Sequence, residues 1–430
     1  MCGAARLLLQ QGHCISGSDC GEVGHLTALL DEGVVLYSEH QASNIAEDVD
    51  EVIYTVAVPD DNPEMMEARR RQLPLKKYAQ IVGEVMGQKK GLCVAGAHGK
   101  TTTSSMLAWI LRYCGEDPSF IIGAHIPQLE GTSCSGGDYF VLESCEYDRS
   151  FHNYRPNKAI VTNIDVDHLD YYKDIYEIQE SFRYFCSLVP EGGLLMNGDD
   201  AYSLPLINKS VRTFGYGDNN TYVIKDKSVF EASVYKGGNE VLAIKLIVPG
   251  KHNLSNAVSA ALTALDLGCD RIKIQEALAQ FKGAERRFQI LHHSEDLVVV
   301  DDYAHHPEEI KATLSAAKEA YEGFKKIVIF QPHQHSRTRF LLESFAWVLS
   351  EADVAIVPDI YFVRDSQHGP EEVTSLDLVK AIMARGGEGH FVADMEEIPA
   401  FLKTLIDGPT LVFLMGAGDI WKLGSKICLS

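Results

Sequence analysis

The stretch Val94-Ala-Gly96-Ala-His-Gly99-Lys100-Thr101-Thr-Thr103 decides the fold class, because it joins a strand-like segment to a helix-like one. Gly91-Leu-Cys-Val-Ala95 before it has the length of a buried strand, and apolar side chains from Met106 to Cys114 follow at helical spacing. Glycines in such a turn let backbone amides surround a phosphate at the helix N-terminus. Lys100 can neutralise the β and γ phosphates of a nucleotide, and Thr101 can ligate Mg²⁺. Because Val94 replaces the first Gly of G-x-x-x-x-G-K-T, an ordinary glycine-rich turn is the alternative interpretation.

Composition restricts the function classes. The chain has 430 residues, 46% hydrophobic and 23% charged, which predicts a globular protein of two or three domains. With 39 basic and 60 acidic residues the net charge is -21, which argues against nucleic acid or an anionic membrane as a partner. We expect a cytoplasmic protein, because the apolar runs are strand-sized, no secretory signal is recognisable, and the ten cysteines lack a C-x-x-C pair.

The pattern of apolar segments predicts an α/β protein with three domains. We expect a Rossmann-like domain over residues 1–88, a central P-loop ATPase-like α/β domain over residues 89–290, and a Rossmann-like α/β domain over residues 291–430. The first of these begins with a helix at Ala4 to Gln11 that feeds a strand. The parallel pattern therefore lacks a first β-strand, and we expect this domain to be incomplete at its N-terminus.

Acidic residues and a histidine follow two further strands. Glu143 ends a strand in Leu142-Glu-Ser-Cys-Glu-Tyr-Asp148, and His168 follows another in Thr162-Asn-Ile-Asp-Val-Asp-His168. Ligands of open α/β sheets bind at the carboxyl ends of the strands, so Glu143 and His168 are candidates to hold Mg²⁺ against phosphate oxygens. Glu146, Asp165 and Asp167 compete for this role, and each acid taken alone could equally be a solvated loop residue.

These motifs are joined by four more along the chain, and together they resemble the Mur ligases. The others are Pro249-Gly-Lys-His-Asn-Leu-Ser-Asn256, Arg286-Arg-Phe-Gln289, Asp301-Asp-Tyr-Ala-His-His-Pro307 and Gln331-Pro-His-Gln-His-Ser-Arg-Thr-Arg339. In that family a substrate carboxylate attacks the γ-phosphate of ATP, and an amine captures the acyl phosphate as an amide. The resemblance is greatest to members that join L-alanine to UDP-N-acetylmuramate in peptidoglycan precursor synthesis. It implies these two substrates, ATP and Mg²⁺.

The resemblance also implies roles for individual residues. It assigns the phosphates to Gly96, His98, Gly99, Lys100, Thr101 and Thr102, and Mg²⁺ to Thr101, Glu143 and His168. It assigns the adenine and ribose side to His252, Asn253 and Asn256, the ATP phosphates also to Arg287, the nucleotide also to Asp302, and a substrate carboxylate to Arg337. Two structural alternatives stay open: Asn253 or Ser255 could cap the following helix, and His305 and His306 could form a helix start rather than face the acyl phosphate.

The start of the chain departs from the family pattern. Mur ligases open with a strand and a glycine-rich loop for the UDP pyrophosphate, whereas this sequence begins at Met1-Cys-Gly-Ala-Ala5, inside or just after that loop. A non-catalytic remnant that binds ATP is therefore one alternative, and a recycling ligase that attaches a ready-made tripeptide is another. A P-loop kinase or GTPase is disfavoured by the short loop and by the lack of an N-K-x-D-like run. We expect a monomer or a weak homodimer.

Overall fold

A computed structural model describes residues 1–21, 26–168, 171–362 and 373–428. The chain divides into two compact units. The first comprises Met1–Lys225, Ser233–Ile244 and Ser255–Phe281, and the second comprises Asp226–Ala232, Lys245–Leu254 and Lys282–Ser430.

The first unit begins with short elements in parallel α/β order, as predicted. They are α1 (Cys2–Gln10), β1 (Ser16–Ser18), α2 (Thr27–Asp31), β2 (Val35–Tyr37), β3 (Val52–Tyr54), α3 (Pro63–Arg70), β4 (Leu75–Lys77) and α4 (Tyr78–Met86). Strands β1 and β2 form one two-stranded parallel sheet, and β3 and β4 form another. The predicted helix from Ala4 to Gln11 corresponds to α1.

The larger part of the first unit surrounds a ten-stranded sheet. Its elements are β5 (Lys90–Ala95), α5 (Lys100–Cys114), β6 (Ser119–Ile126), β7 (Gly131–Cys134), β8 (Tyr139–Glu143), β9 (Pro156–Val161), α6 (Ile175–Ser187), β10 (Leu194–Asn197), β11 (Arg212–Gly215), β12 (Tyr222–Ser228), β13 (Glu231–Lys236), β14 (Asn239–Lys245), α7 (Lys251–Asp266) and α8 (Arg271–Ala279). The strand order is β14-β13-β12-β11-β10-β9-β5-β8-β6-β7. Because β5 is parallel to both neighbours, β8 and β9, the segments that follow these three strands emerge at one edge of the sheet.

Apolar side chains fix the helices on this sheet. Leu7 of α1, Val82 of α4 and Phe185 of α6 belong to one buried cluster with the strand residues Phe140 and Ala159. Each fully buried large aliphatic or aromatic side chain contributes about 1.5–3 kcal/mol to folding. The short N-terminal helices α1 and α4 are thus part of the same core as the central strands.

The second unit contains a six-stranded sheet with helices. Its elements are β15 (Gln289–His293), β16 (Leu297–Asp302), α9 (Pro307–Ala320), β17 (Lys325–Phe330), α10 (His335–Phe340), α11 (Leu342–Leu349), β18 (Val354–Val357), α12 (Ser375–Ala384), β19 (Gly389–Phe391), α13 (Ile398–Leu405), β20 (Thr410–Met415) and α14 (Leu423–Cys428). The order is β15-β16-β20-β17-β18-β19, parallel except for β15. Two buried clusters pack on the strands, which explains their almost continuous apolar sequences.

One predicted helix differs from the structure. The apolar pattern predicts one helix from Phe340 to Leu349, whereas α10 ends at Phe340 and α11 begins at Leu342, because Leu341 leaves helical geometry between them. The ten cysteines all lie in described residues and are free thiols. No helix in the described part of the chain is both long and apolar enough to span a bilayer.

Candidate functional site

The loop between β5 and α5 depends on two glycines. Gly96 has φ +142°, and a Cβ there would lie 2.1 Å from Thr162 Oγ1. Gly99 has φ +82°, and a Cβ there would lie 2.6 Å from Asn256 Oδ1. A side chain at either position would combine backbone strain with a steric clash. The structure therefore brings Asn256, which the sequence placed 157 positions away from Gly99, against the phosphate-type loop.

The residues after β9 hold this loop in shape. The His98 N–H donates to Asn163 Oδ1 at 2.9 Å, and Asn163 Nδ2 donates to the His98 carbonyl at 3.0 Å. Thr162 Oγ1 donates to the same carbonyl at 2.6 Å. Because these contacts fix the loop, the backbone amides at the start of α5 are preorganised to meet an anion.

Lys100 is the first residue of α5 and faces the loop and a buried acid. Its Nζ donates to the Gly96 carbonyl and lies 3.1 and 3.0 Å from the two carboxylate oxygens of Glu146. Glu146 is 3% exposed. Burial opposes the charge of Lys100, but the Glu146 carboxylate outweighs burial and raises the pKa of Lys100 above its ordinary value. The ammonium stays protonated at neutral pH.

Thr101 and Glu143 form a second polar pair at the same edge. Thr101 Oγ1 donates to Glu143 Oε1 at 2.8 Å, and the Gly123 N–H donates to Glu143 Oε2 at 2.6 Å. A hydroxyl and a carboxylate oxygen this close match the all-oxygen surroundings that Mg²⁺ prefers. Thr102 follows in the first turn of α5.

His168 lies on the other side of Glu146. Its Nε2 is 3.7 Å from Glu146 Oε1 and 3.8 Å from Asp167 Oδ2. Asp165 instead lies 3.3 Å from Nε2 of His98. Glu146, which the sequence offered only as one of three competing acids, thus stands between Lys100 and His168. The distinguishing signal is its burial, which the sequence does not display.

In the second unit, two adjacent acids end β16. Asp302 is buried and accepts hydrogen bonds from the Ala304 N–H at 3.0 Å and Thr313 Oγ1 at 2.9 Å. Burial raises the pKa of Asp302 to about 6, an effect that nearby Arg287 partly offsets. Burial also raises the pKa of Asp301 to about 6, against the opposing effect of Arg286.

Glu309 is the centre of the polar cluster around these acids. Its Oε1 lies 3.8 Å from Arg287 Nη1, and its Oε2 accepts the N–H groups of His305 and His306 at 3.1 and 3.3 Å. The sequence interpretation missed Glu309. The sequence did contain a sign of its role. Glu309 is the third residue of a helix that begins at Pro307, the position at which a glutamate completes a capping box.

The helix-start role of His306 is confirmed, because its side chain accepts the Glu308 N–H at the start of α9. The capping role considered for Asn253 or Ser255 is wrong, because α7 already begins at Lys251. Asn253 Nδ2 donates to the Pro249 carbonyl at 2.7 Å. Burial lowers the pKa of His252 to about 4, so its imidazole is neutral at pH 7.

Arg337 lies half-buried in α10, the helix that follows β17 at the carboxyl edge of the second sheet. Arg339 in the same helix is exposed. The first unit thus contains five of the predicted site residues, Lys100, Thr101, Glu143, His168 and Asn256. Arg287, Asp302 and Arg337 share the second, as do His252 and Asn253.

Three family models match consecutive parts of the chain. They are the Mur ligase family catalytic domain over residues 1–90, the Mur ligase middle domain over residues 94–264, and the Mur ligase glutamate ligase domain over residues 286–418. The chain belongs to the Mur ligase family. The three-domain α/β organisation predicted from the sequence is that of this fold.

Similar Mur ligases extend over nearly the whole chain. A UDP-N-acetylmuramate–L-alanine ligase from Syntrophomonas wolfei is 40% identical and covers 99% of this chain and 94% of its own length. One from Caldanaerobacter subterraneus has the same identity and coverage. Among solved structures, a UDP-N-acetylmuramate-alanine ligase from Thermotoga maritima has a TM-score of 0.85 and 30% identity, and covers 99% of this chain and 95% of its own. A murein peptide ligase from Psychrobacter arcticus, 23% identical with a TM-score of 0.71 over 100% of this chain and 96% of its own, shares the fold.

Proposed function

We propose that this chain is an ATP-dependent ligase that forms an amide between L-alanine and the lactyl carboxylate of UDP-N-acetylmuramate, in peptidoglycan precursor synthesis. The observation that carries the proposal is the edge of the central sheet where Lys100 and Thr101 begin α5, with Glu143 on Thr101 and Glu146 on Lys100. The relatives described above favour L-alanine and UDP-N-acetylmuramate as the substrates.

The first chemical step transfers the γ-phosphoryl group of ATP to the substrate. A lactyl carboxylate oxygen attacks the γ-phosphorus, the bond to the β–γ bridging oxygen breaks, and ADP leaves. This step needs positioning and charge neutralisation more than a nucleophilic side chain. The amides at the start of α5, beside the loop from Gly96 to Gly99, and the Lys100 ammonium would bind the phosphates. His98 and Thr102 border the same loop.

The second step forms the amide. The neutral amine of L-alanine attacks the acyl-phosphate carbonyl, phosphate leaves, and the nitrogen loses a proton. We assign Arg287 to the ATP phosphates, Asp302 to the nucleotide, and Arg337 to a substrate carboxylate, for which a guanidinium is well suited. His252, Asn253 and Asn256 would contact the adenine and ribose side.

Mg²⁺ is the cation that we propose for the pair Thr101 and Glu143, because their oxygens are 2.8 Å apart and one carboxylate oxygen is already oriented by the Gly123 amide. His168 would complete the set. The ion, when bound, would neutralise charge on the phosphate oxygens.

We further propose three domains, over residues 1–88, 89–290 and 291–430. We also propose that the protein is a monomer or weak homodimer with neither nucleic-acid nor membrane partners, and that it acts in the cytoplasm.

The test measures phosphate release from ATP with UDP-N-acetylmuramate and either L-alanine or the tripeptide. The proposal predicts release with L-alanine and a product heavier by one alanyl residue. Release with the tripeptide alone would favour the recycling ligase. Absence of turnover with both, in a folded protein that binds ATP, would favour the non-catalytic alternative.

A further inference from the structure

A group of tyrosines beside His168 has no role in the mechanism above. The ring of Tyr147 is centred 5.0 Å from the His168 ring and 5.7 Å from the Tyr171 ring. Tyr171 meets the buried Tyr172 edge-on at 4.9 Å, and the Tyr172 hydroxyl donates to the Glu146 carbonyl at 2.6 Å. Tyr171 keeps 37% of its surface exposed, and Tyr147 is half-buried. Aromatic surface thus remains accessible next to the candidate site of phosphoryl transfer.

The backbone around Tyr147 is held in an unfavourable conformation. Asp148 and Arg149 have φ values of 50° and 52°, in the left-handed region that non-glycine residues rarely adopt. Two ion pairs secure this turn: Lys77 Nζ lies 2.8 Å from Asp148 Oδ2, and Arg149 Nη2 lies 2.8 Å from Glu177 Oε1. Strain that the surrounding contacts maintain is concentrated at functional sites. The position of the Tyr147 ring is therefore a candidate functional feature.

The length of the lactyl group relates these rings to the substrate. Only an ether oxygen and one carbon separate the pyranose ring from the carboxylate carbon, a span of roughly 4 Å. The proposed function brings that carboxylate to the γ-phosphate near Lys100 and His168, so the pyranose must lie beside the same side chains. The uracil lies beyond a ribose and two phosphates and is much farther from the reacting carboxylate.

We propose that Tyr147 and Tyr171 form a platform against which the N-acetylmuramic acid ring packs through its apolar C–H face. This inference rests on the proposed function and deepens it, because it names the part of the substrate that the tyrosines recognise. The electron-rich face of a tyrosine ring attracts C–H groups of positive partial charge, and its flat surface limits the tilt of the sugar. The platform would thereby orient the lactyl carboxylate.

The test compares Tyr171→Ala and Tyr171→Phe with the control Tyr176→Ala, which removes a 73% exposed tyrosine from α6. Calorimetry on the full chain measures the binding of UDP-N-acetylmuramate and of UDP. We expect Tyr171→Ala to weaken UDP-N-acetylmuramate binding about tenfold and to leave UDP binding within about twofold. Tyr171→Phe should restore most of the affinity, and Tyr176→Ala should behave as the unaltered chain.

Kinetics provide the second readout. Tyr171→Ala should raise the KM for UDP-N-acetylmuramate by a similar factor while the KM for ATP changes little, a split that general misfolding would not produce. Equal sugar-nucleotide affinity in Tyr171→Ala and the unaltered chain would overturn the platform alone. An equal loss for UDP would assign the tyrosines to the uracil and overturn it too. Failure of the unaltered chain to bind UDP-N-acetylmuramate would overturn the proposed function and the platform together.

Discussion

At the scale of single residues, Gly99 and Gly115 are a matched pair at the two ends of α5. Both have positive φ, +82° and +97°, but a Cβ at Gly99 would lie 2.6 Å from Asn256 Oδ1, whereas nothing lies within 4 Å of one at Gly115. Gly115→Ala should lower the free energy of unfolding by only about 1 kcal/mol, the strain of an alanine at positive φ. Gly99→Ala should also displace the loop and lower kcat/KM for ATP by about 100-fold. Steady-state kinetics measure kcat/KM for ATP in both variants, and chemical denaturation measures their stability. An equal kcat/KM in the two variants would contradict the role of Gly99.

Variants of Lys100 and Glu146 can separate the role of the Lys100 charge in ATP turnover from its role in the stability of the first unit. Lys100→Ala should abolish detectable ATP turnover, and it should also destabilise the first unit by about 3 kcal/mol because it leaves the Glu146 carboxylate buried without its cation. The double variant Lys100→Ala with Glu146→Gln should regain much of that stability and none of the activity. Denaturation midpoints and phosphate release are the two measurements. Turnover in the single variant would refute the phosphate role of Lys100.

Some of these residues could be found from the sequence and others could not. Lys100 and Thr101 belong to a motif whose chemistry follows from its residue types, and Glu143 follows a recognisable strand. Glu146 could not be selected over Asp165 or Asp167, because burial and the hydrogen bond from Tyr172 to its carbonyl arise only in the folded chain.

At the scale of elements, the end of β16 makes the stability of the second unit dependent on pH. Burial raises the pKa of Asp302 to about 6, so the folded state binds a proton more tightly than the unfolded state does. The contribution of protonated Asp302 to the free energy of unfolding is therefore fully present below about pH 4, and it is lost as the pH rises through about 6. Asp302→Asn cannot ionise and escapes this loss.

We compare the free energy of unfolding of Asp302→Asn with that of the unaltered chain at each pH. This difference should favour the variant by about 2 kcal/mol more at pH 7.5 than at pH 4.5. The comparison cancels the titration of the other acids, which the two proteins share. Urea denaturation at the two pH values gives the difference. A pH-independent difference would show that Asp302 ionises as readily in the folded chain as in the unfolded one.

Elements were predictable where a regular pattern continued for several residues. The apolar run predicts a strand from Val354 to Val357, which β18 confirms without change, and Gly115 predicts the end of α5 after Cys114, which is also confirmed. Strand β4 and helix α4 were missed, because Lys76 and Lys77 carry no apolar alternation and α4 follows β4 without a turn signal. The break at Leu341 was missed because apolar residues continue across it.

At the scale of the whole molecule, the order of the motifs predicted the family and its α/β architecture. Strand order was not available from the sequence. It is this order that places β5 between β8 and β9, and so brings Glu143 and the segment after β9 to the phosphate-type loop. With a net charge of -21, an anionic substrate needs local cations, and we propose Lys100, Arg287 and Arg337 for this role.

We propose that the chain activates the lactyl carboxylate as an acyl phosphate before L-alanine captures it. The most direct test supplies UDP-N-acetylmuramate labelled with ¹⁸O in that carboxylate, together with ATP, Mg²⁺ and L-alanine, and weighs the released phosphate by mass spectrometry. We expect one ¹⁸O atom in each phosphate, released together with the alanyl product. Unlabelled phosphate, or release that does not depend on L-alanine, would contradict it.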